Sequence, residues 1–294
     1  MVDEATLHHG LAIVLLVSGV GAFLRLSLGG SQAPYGRYNA GHHNKTTSQS
    51  RQQHGYGPHV PARLAWFFME SPNLWATLIC LFWLGLPTPA CTRNPANQVL
   101  LFLFTLHYAQ RALLYPLLMP PITRPMPVGI MALAWLFCAC NGYLQARWLT
   151  ALHPYPSGWV RSPMFMVGVA LFVLGFALNV HADGVLRGLA RRRTQQQQQE
   201  QQSKGKGKGK GKGSGYAIPH GGLFRFVSAA NYAAEMLEWV GFAVAGGLQY
   251  PGVVFAAFTF LNLAPRGVAH HEWYKAEFGS KYPKGRRALI PFVY

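Results

Sequence analysis

The stretch Pro163-Met-Phe-Met-Val-Gly-Val-Ala-Leu-Phe-Val-Leu-Gly-Phe-Ala-Leu-Asn179-Val-His-Ala-Asp183-Gly-Val-Leu-Arg187 decides the fold. No residue from 163 through 178 carries a charge or a hydrogen-bonding side chain. Continued to residue 189, the run is long enough for a helix to cross a hydrocarbon core, which takes about 20 residues. Its far end is different. Asn179, Asp183 and Arg187 step by four, which puts them in one stripe along a helix. A charge inside a span costs about 2.5–3.5 kcal/mol on insertion scales, so such residues face an interior site.

Six more apolar runs accompany this one, at 10–29, 64–86, 98–118, 127–152, 226–246 and 250–274. They predict an all-α polytopic membrane protein with seven transmembrane helices. Composition agrees. Half of the 294 residues are hydrophobic and only 12% are charged, where a soluble domain averages about 25%. Mean hydropathy is +0.12. The first run is not followed by a small-residue cleavage site and reads as an anchor. Lys and Arg alternate between rich and poor connections. Arg37, Lys45, Arg51 and Arg63 follow the first run, none separates the last two, and Lys281, Lys284, Arg286 and Arg287 lie in the tail. That pattern predicts a lumenal N-terminus and a cytoplasmic C-terminus. The expectation is one membrane-embedded domain over 1–294, with a flexible cytoplasmic loop at 30–60 and a disordered basic, Gln-rich insert at 191–215.

The net charge of +17 does not point to nucleic acid. The insert alone supplies +7 of it, through Arg191, Arg192, Arg193 and five lysines against Glu200. The rest is spread thinly, with no basic face interleaved with aromatics. Cys80, Cys91, Cys138 and Cys140 fit no metal spacing and are expected as free thiols. The pairs His8-His9 and His42-His43 lack matching ligands nearby, so no metal is expected.

Two further stripes match the first. Asn231, Glu235 and Glu238 fall on one face of the sixth run, and Arg266, His270 and Tyr274 on one face of the seventh. With the predicted topology all three stripes lie near the cytoplasmic ends of their helices. Such a cluster suits a large, polar, anionic ligand. A second group is more apolar: Glu70 in the second run, His107, Tyr108, Arg111 and Tyr115 in the third, and Asn141 with Gln145 on one face of the fourth. In an apolar setting Glu70 favours its neutral acid. A neutral carboxyl and a phenol both donate hydrogen bonds, which suits them to a carbonyl in an oily pocket. No GxGxxG follows a strand and no GxxxxGK[ST] occurs, so a soluble dinucleotide fold is not indicated.

The stretch from Tyr216-Ala-Ile-Pro-His-Gly-Gly-Leu-Phe-Arg-Phe-Val-Ser-Ala-Ala-Asn231 to Glu235-Met-Leu-Glu238-Trp239 resembles the steroid 5-alpha-reductase family. So do Tyr282-Pro-Lys-Gly-Arg-Arg-Ala-Leu-Ile-Pro-Phe-Val-Tyr294, Asn141-Gly-Tyr-Leu-Gln145, Asn179-Val-His-Ala-Asp183 and Pro61-Ala-Arg-Leu-Ala-Trp-Phe-Phe-Met-Glu70. The likeness runs from about residue 60 to the end, interrupted by the insert. It implies an NADPH-dependent oxidoreductase of the endoplasmic reticulum membrane, a 3-oxo-5-alpha-steroid 4-dehydrogenase, that reduces the double bond conjugated to a steroid 3-ketone. By the same resemblance Arg124, Asn179, Asp183, Arg187, Tyr216, Asn231, Glu235, Arg266, His270 and Tyr274 are cofactor-binding, and Glu70 and Tyr108 hold the substrate ketone. The chain departs from the pattern at Ala217, where animal members have arginine, and at Leu133, where a basic residue is expected. The arginine that follows Arg187 in the family is displaced here, with Arg191 or Arg192 as its replacement. Expected partners are a steroid or sterol-like lipid and membrane lipid, with the chain as a monomer. Two rival readings stand beside this one. The first is a reductase of the same fold acting on an enoyl thioester or a polyprenol-type lipid. The second is a transporter or non-catalytic lipid-binding protein, which the absence of an internal repeat disfavours.

Overall fold

A computed structural model describes residues 3–28, 56–83, 87–204 and 215–293. Most of the loop expected at 30–60, with the pair His42-His43, lies outside these residues, as does 205–214. The described chain is mostly helical: α1 (Glu4–Leu28), α2 (Ala62–Glu70), α3 (Pro72–Phe82), α4 (Pro89–Thr92), α5 (Pro95–Ala109), α6 (Tyr115–Leu118), α7 (Val128–Arg147), α8 (Pro163–Lys204), α9 (Ala230–Ala245) and α10 (Tyr250–Phe278). Among the described residues one small antiparallel sheet pairs β1 (His59–Val60) with β2 (Met126–Pro127).

Among the described residues four helical segments are long and apolar enough to cross a membrane: Glu4–Leu28, Val128–Leu152, Pro163–Gln199 and Tyr250–Lys281. Where described, the runs predicted at 64–86 and 98–118 are helical but assembled from pieces, and α9 has 16 residues. Each interruption has a local cause. Pro72 has no N–H for the Phe68 carbonyl one turn back. The Ser71 hydroxyl donates to that carbonyl instead, at 3.3 Å. The chain continues through Ser71 with helical dihedrals, and Glu70 sits at the joint. In the next rod, Pro116 lacks the N–H that Ala112 would receive. A π-turn at Gln110–Leu114 joins α5 to α6 just ahead of it. Such turns are frequent at functional sites, and this one carries Arg111. A second π-turn, Trp148–Leu152, ends α7.

The expectation of a disordered insert from residue 191 needs correction. α8 runs on to Lys204, so residues 191–204 are helical. Arg, Gln, Glu and Lys are all good helix formers. A composition that cannot bury a core can still prolong a helix that is already nucleated by a packed segment.

The described N- and C-terminal segments pack against opposite ends of α10. At one end Glu4 of α1 is bonded to Arg147 of α7 at 2.6 and 2.7 Å. His8 beside it meets Tyr250 of α10 and the Leu144 carbonyl. At the other end the C-terminal tail folds back on the start of α9. Ser228 Oγ contacts the Tyr282 hydroxyl and His271 Nδ1, both at 2.6 Å, and Val227 bridges to Arg287.

The core is aromatic. Trp239 packs against Phe104, Tyr108, Phe172, Phe242 and Phe255, so α5, α8, α9 and α10 meet around one indole. Outward-facing Ile13, Val14 and Val17 of α1 are more than 60% exposed, as a surface against lipid requires. Where hydrocarbon surrounds a bundle, close approach of backbones replaces the hydrophobic drive between helices. α8 and α9 show this at Gly175, where a methyl group would overlap the backbone of Glu238. Gly175→Leu must therefore push α9 off α8. Overpacking of this kind costs about 1–3 kcal/mol. We expect a lower thermal midpoint in detergent, with the contact between Asn179 and Glu235 lost. An unchanged midpoint would show that the two helices tolerate a wider spacing.

Candidate active site

Arg111 is the hub of the polar residues inside the bundle. The π-turn brings it between α8 and α9, where Nη1 donates to Asp183 Oδ2 at 2.9 Å and Nη2 lies 3.5 Å from Glu235 Oε2. Its guanidinium stacks 4.8 Å from the ring centre of Tyr115 and 5.3 Å from that of Trp66. Asn179 Nδ2 donates to the same Glu235 oxygen at 3.3 Å. Asp183 and Arg111 are buried, while Glu235 stays half-open, with 17% of its side chain exposed. Arg187, one turn beyond Asp183, is half-buried, and its Nη1 has no hydrogen-bond partner among the described residues. Asn231 lies half-buried in the first turn of α9.

On α10, His270 Nε2 faces the Tyr232 hydroxyl at 3.3 Å. Tyr274 is buried and stacks on Tyr282 of the tail. Arg266 is half-buried one residue after Pro265. Tyr216 in the loop before α9 lies edge-on to Trp273 and under the guanidinium of Arg193, 4.0 Å from its ring centre. Arg124 is half-buried in the connection before β2.

The second group sits deeper. Tyr108 is 3% exposed, between the rings of Phe104 and Trp239. Asn141 Nδ2 donates to its hydroxyl at 3.4 Å. Half-buried Glu70, across α7, has Cys138 Sγ 3.7 Å from its Oε2. Cys138 and Asn141 are three apart on α7 and face the same way. Glu70 and Tyr108 therefore reach one face of α7, less than a turn apart. Next to Tyr108, the His107 ring N–H donates to Glu238 Oε1 at 2.7 Å, and both residues are buried.

The predicted stripes thus divide. Asn179, Asp183 and Glu235 come together around Arg111. Glu238 leaves its stripe to pair with His107 beside Tyr108. Reading the sequence assigned Arg111 to the apolar group and missed its bridging role. Periodicity shows what shares a face of one helix, not what the facing helices bring. The signal available was a cation in an apolar run, which needs carboxylates from elsewhere. Cys138 and Arg193 were missed for the same reason. The free state of all four thiols agrees with expectation.

Removing one partner of a buried ion pair leaves an uncompensated charge and costs about 3–5 kcal/mol. Arg111→Met strands two carboxylates. We expect it to unfold in detergent at markedly lower temperature than wild type, with Glu235→Gln in the same chain recovering part of the loss. A double variant no more stable than Arg111→Met alone would remove Glu235 from the pair.

Comparison with known proteins bears on the chemistry. Residues 124–294 match the family described as 3-oxo-5-alpha-steroid 4-dehydrogenase. The chain is 38% identical to 3-oxo-5-alpha-steroid 4-dehydrogenase 1 of Bos taurus over 290 residues, which is 99% of this chain and 98% of the relative. It is 40% identical to the Mus musculus protein of the same name over 274 residues, 92% of this chain and 91% of the relative. It is 36% identical to Steroid 5-alpha-reductase DET2 of Gossypium hirsutum over 298 residues, covering all of both chains. Likeness of this extent, spanning Arg111 and Tyr108 alike, makes the chain an oxidoreductase that belongs to the 3-oxo-5-alpha-steroid 4-dehydrogenase family.

Proposed function

We propose that the chain is an enzyme of the endoplasmic reticulum membrane that uses NADPH to reduce the carbon–carbon double bond of a 3-oxo-4-ene steroid. On this reading it crosses the membrane seven times, with a lumenal N-terminus and a cytoplasmic C-terminus. The observation that carries it is the shared face of α7: the Glu70 carboxyl and the Tyr108 hydroxyl both address it, one through Cys138 and the other through Asn141, among apolar walls. That suits a substrate with an oily body and one carbonyl.

The ionic cluster fits a dinucleotide. Arg187 has a buried N–H without a hydrogen-bond partner among the described residues, and Glu235 is half-open. Cations for phosphate, with carboxylates and amides for ribose and nicotinamide, make up the donor set such a ligand needs. Arg124, Asn179, Asp183, Arg187, Tyr216, Asn231, Glu235, Arg266, His270 and Tyr274 would hold it. Arg193 over Tyr216 stands beside Ala217 and supplies a cation where the family's arginine is missing. When bound, NADPH would supply a hydride to the beta carbon of the enone, and a proton added at the alpha carbon would complete the reduction. The protein's part is to stabilise the negative charge that develops on the ketone oxygen. Tyr108 donates to that oxygen and Glu70 assists as a neutral acid. Low dielectric makes such donors stronger than in water.

Single-turnover reduction of a 3-oxo-4-ene steroid at saturating NADPH, with the product identified, tests this reading. Tyr108→Phe keeps the ring between Phe104 and Trp239 and removes the hydroxyl. It should bind NADPH normally and turn over about 100-fold more slowly or worse. Wild-type rates in that variant would return Tyr108 to a packing role. Asp183→Asn should weaken NADPH and, because it takes one carboxylate from the buried Arg111, lower the thermal midpoint as well. Because arginine grips phosphate in a fork, kcat/KM should be higher with NADPH than with NADH, and equal values would overturn that preference.

A further inference from the structure

Tyr108 has two ways to use its hydroxyl, and the residues behind it choose between them. A phenol carries one proton to give and lone pairs to receive. Whether the proton is free for a substrate depends on what the nearest neighbour presents. That neighbour is Asn141, completely buried, whose amide offers an acceptor on one side and a donor on the other.

The direction of this amide is set by a chain of hydrogen bonds with a one-way end. The Pro251 carbonyl, in the first turn of α10, can only accept. Gln145 Nε2 donates to it at 2.9 Å. The same nitrogen donates to Asn141 Oδ1 at 3.2 Å, one turn back along α7. With Oδ1 engaged, Nδ2 is turned to the other side, where it donates to Tyr108 at 3.4 Å and to Asn73 Oδ1 at 3.2 Å. Rotating Asn141 by half a turn would set its Nδ2 against the Gln145 nitrogen, donor against donor, at a site where both residues are at most 2% exposed. A buried polar group left unpaired costs about 1–3 kcal/mol, so the alternative is suppressed. The backbone supports the geometry. Gly142 lets α7 lie so close to α3 that a methyl group there would be 2.9 Å from the Asn73 Cα.

We infer that Asn141, held in one orientation by Gln145 and the Pro251 carbonyl, is a positioning residue that makes Tyr108 a hydrogen-bond donor toward the substrate ketone. Because Tyr108 receives from Asn141, its own proton points away from α7 and stays available. The inference rests on the role of Tyr108 proposed above.

A double-mutant cycle separates positioning from packing. Single-turnover reduction is measured at saturating NADPH and 3-oxo-4-ene steroid for wild type, Asn141→Leu, Tyr108→Phe and the double variant. NADPH affinity and the thermal midpoint are followed in parallel. Loss of one oriented hydrogen bond should slow Asn141→Leu about 10-fold with NADPH affinity unchanged. In the Tyr108→Phe background the same change should cost less than about two-fold, because the group it orients is gone. Equal slowing in both backgrounds would overturn the inference, and so would a wild-type rate for Asn141→Leu. Should Asn141→Leu fail to fold, Gln145→Met runs the same cycle with Asn141 in place. A Tyr108→Phe variant as fast as wild type sinks the role of Tyr108 itself. A slow one with additive Asn141 effects sinks only the positioning.

Discussion

The arrangement of the interior turns on one guanidinium. Arg111 rises from the rod made of α5, the π-turn and α6, and ties it to α8 through Asp183 and to α9 through Glu235. A cation taken out of water is tolerated only when it is paired and its N–H groups are used. The rotation of each rod about its axis is therefore constrained, since turning any of them strands a charge in an apolar interior. Buried ion pairs are weak contributors to net stability. What this one supplies is register, and the register brings Asn179 to Glu235 and puts Tyr108, three residues before Arg111, against Trp239.

Packing and polarity act together here because a protein in hydrocarbon cannot rely on water to drive its helices together. Gly175 admits the backbone of α9, and Gly142 admits that of α3. At both contacts polar groups sit within a few residues of the close approach: Asn179 and Glu238 beside the first, Asn141 and Asn73 beside the second. A hydrogen bond across helices needs short side chains to meet, and short side chains meet only when backbones are near. Glycine contacts and polar site are thus one set of interactions, and damage to either reaches the other.

Much of this was legible before the fold was known, because in a membrane protein the strongest signals are long apolar runs and the few polar residues that interrupt them. Among the described residues each predicted run is mostly helical, several of them in pieces. Stripes at a spacing of four identified Asn179, Asp183 and Glu235 as neighbours on their own helices, and Asn141 with Gln145 on theirs. Pairings between helices were not legible. Nothing in the third run says that its π-turn aims Arg111 at α8 and α9, because an extra residue in a turn resets the face that follows it. Glu238 shares a stripe with Glu235 by spacing, but a histidine from another helix claims it. The course of α8 beyond residue 190 was misread because composition was weighed for its ability to bury a core. Helix propensity, which favours Arg, Gln and Lys, was the stronger local term.

On the function proposed above, the proximity of the two polar groups poses a physical problem, since they require opposite things. A ketone is best polarised by neutral donors in a dry pocket, where each hydrogen bond counts for most. A dinucleotide needs ions. Tyr108 and Arg111 stand three residues apart, roughly 4.5 Å along a helix axis at 1.5 Å per residue. An ionised carboxylate turned toward Tyr108 would accept its hydrogen bond and so occupy the donor. Three of the nearby acids are engaged elsewhere. Asp183 and Glu235 are engaged by Arg111, and one oxygen of Glu238 by His107. What Tyr108 meets on its own side is Asn141, which donates to it. Ionic and neutral chemistry can then lie within one turn of each other: Asp183, Glu235 and one oxygen of Glu238 are answered by Arg111 and His107, while Glu70, the remaining acid near the phenol, is on the proposed reading a neutral donor beside the Cys138 thiol.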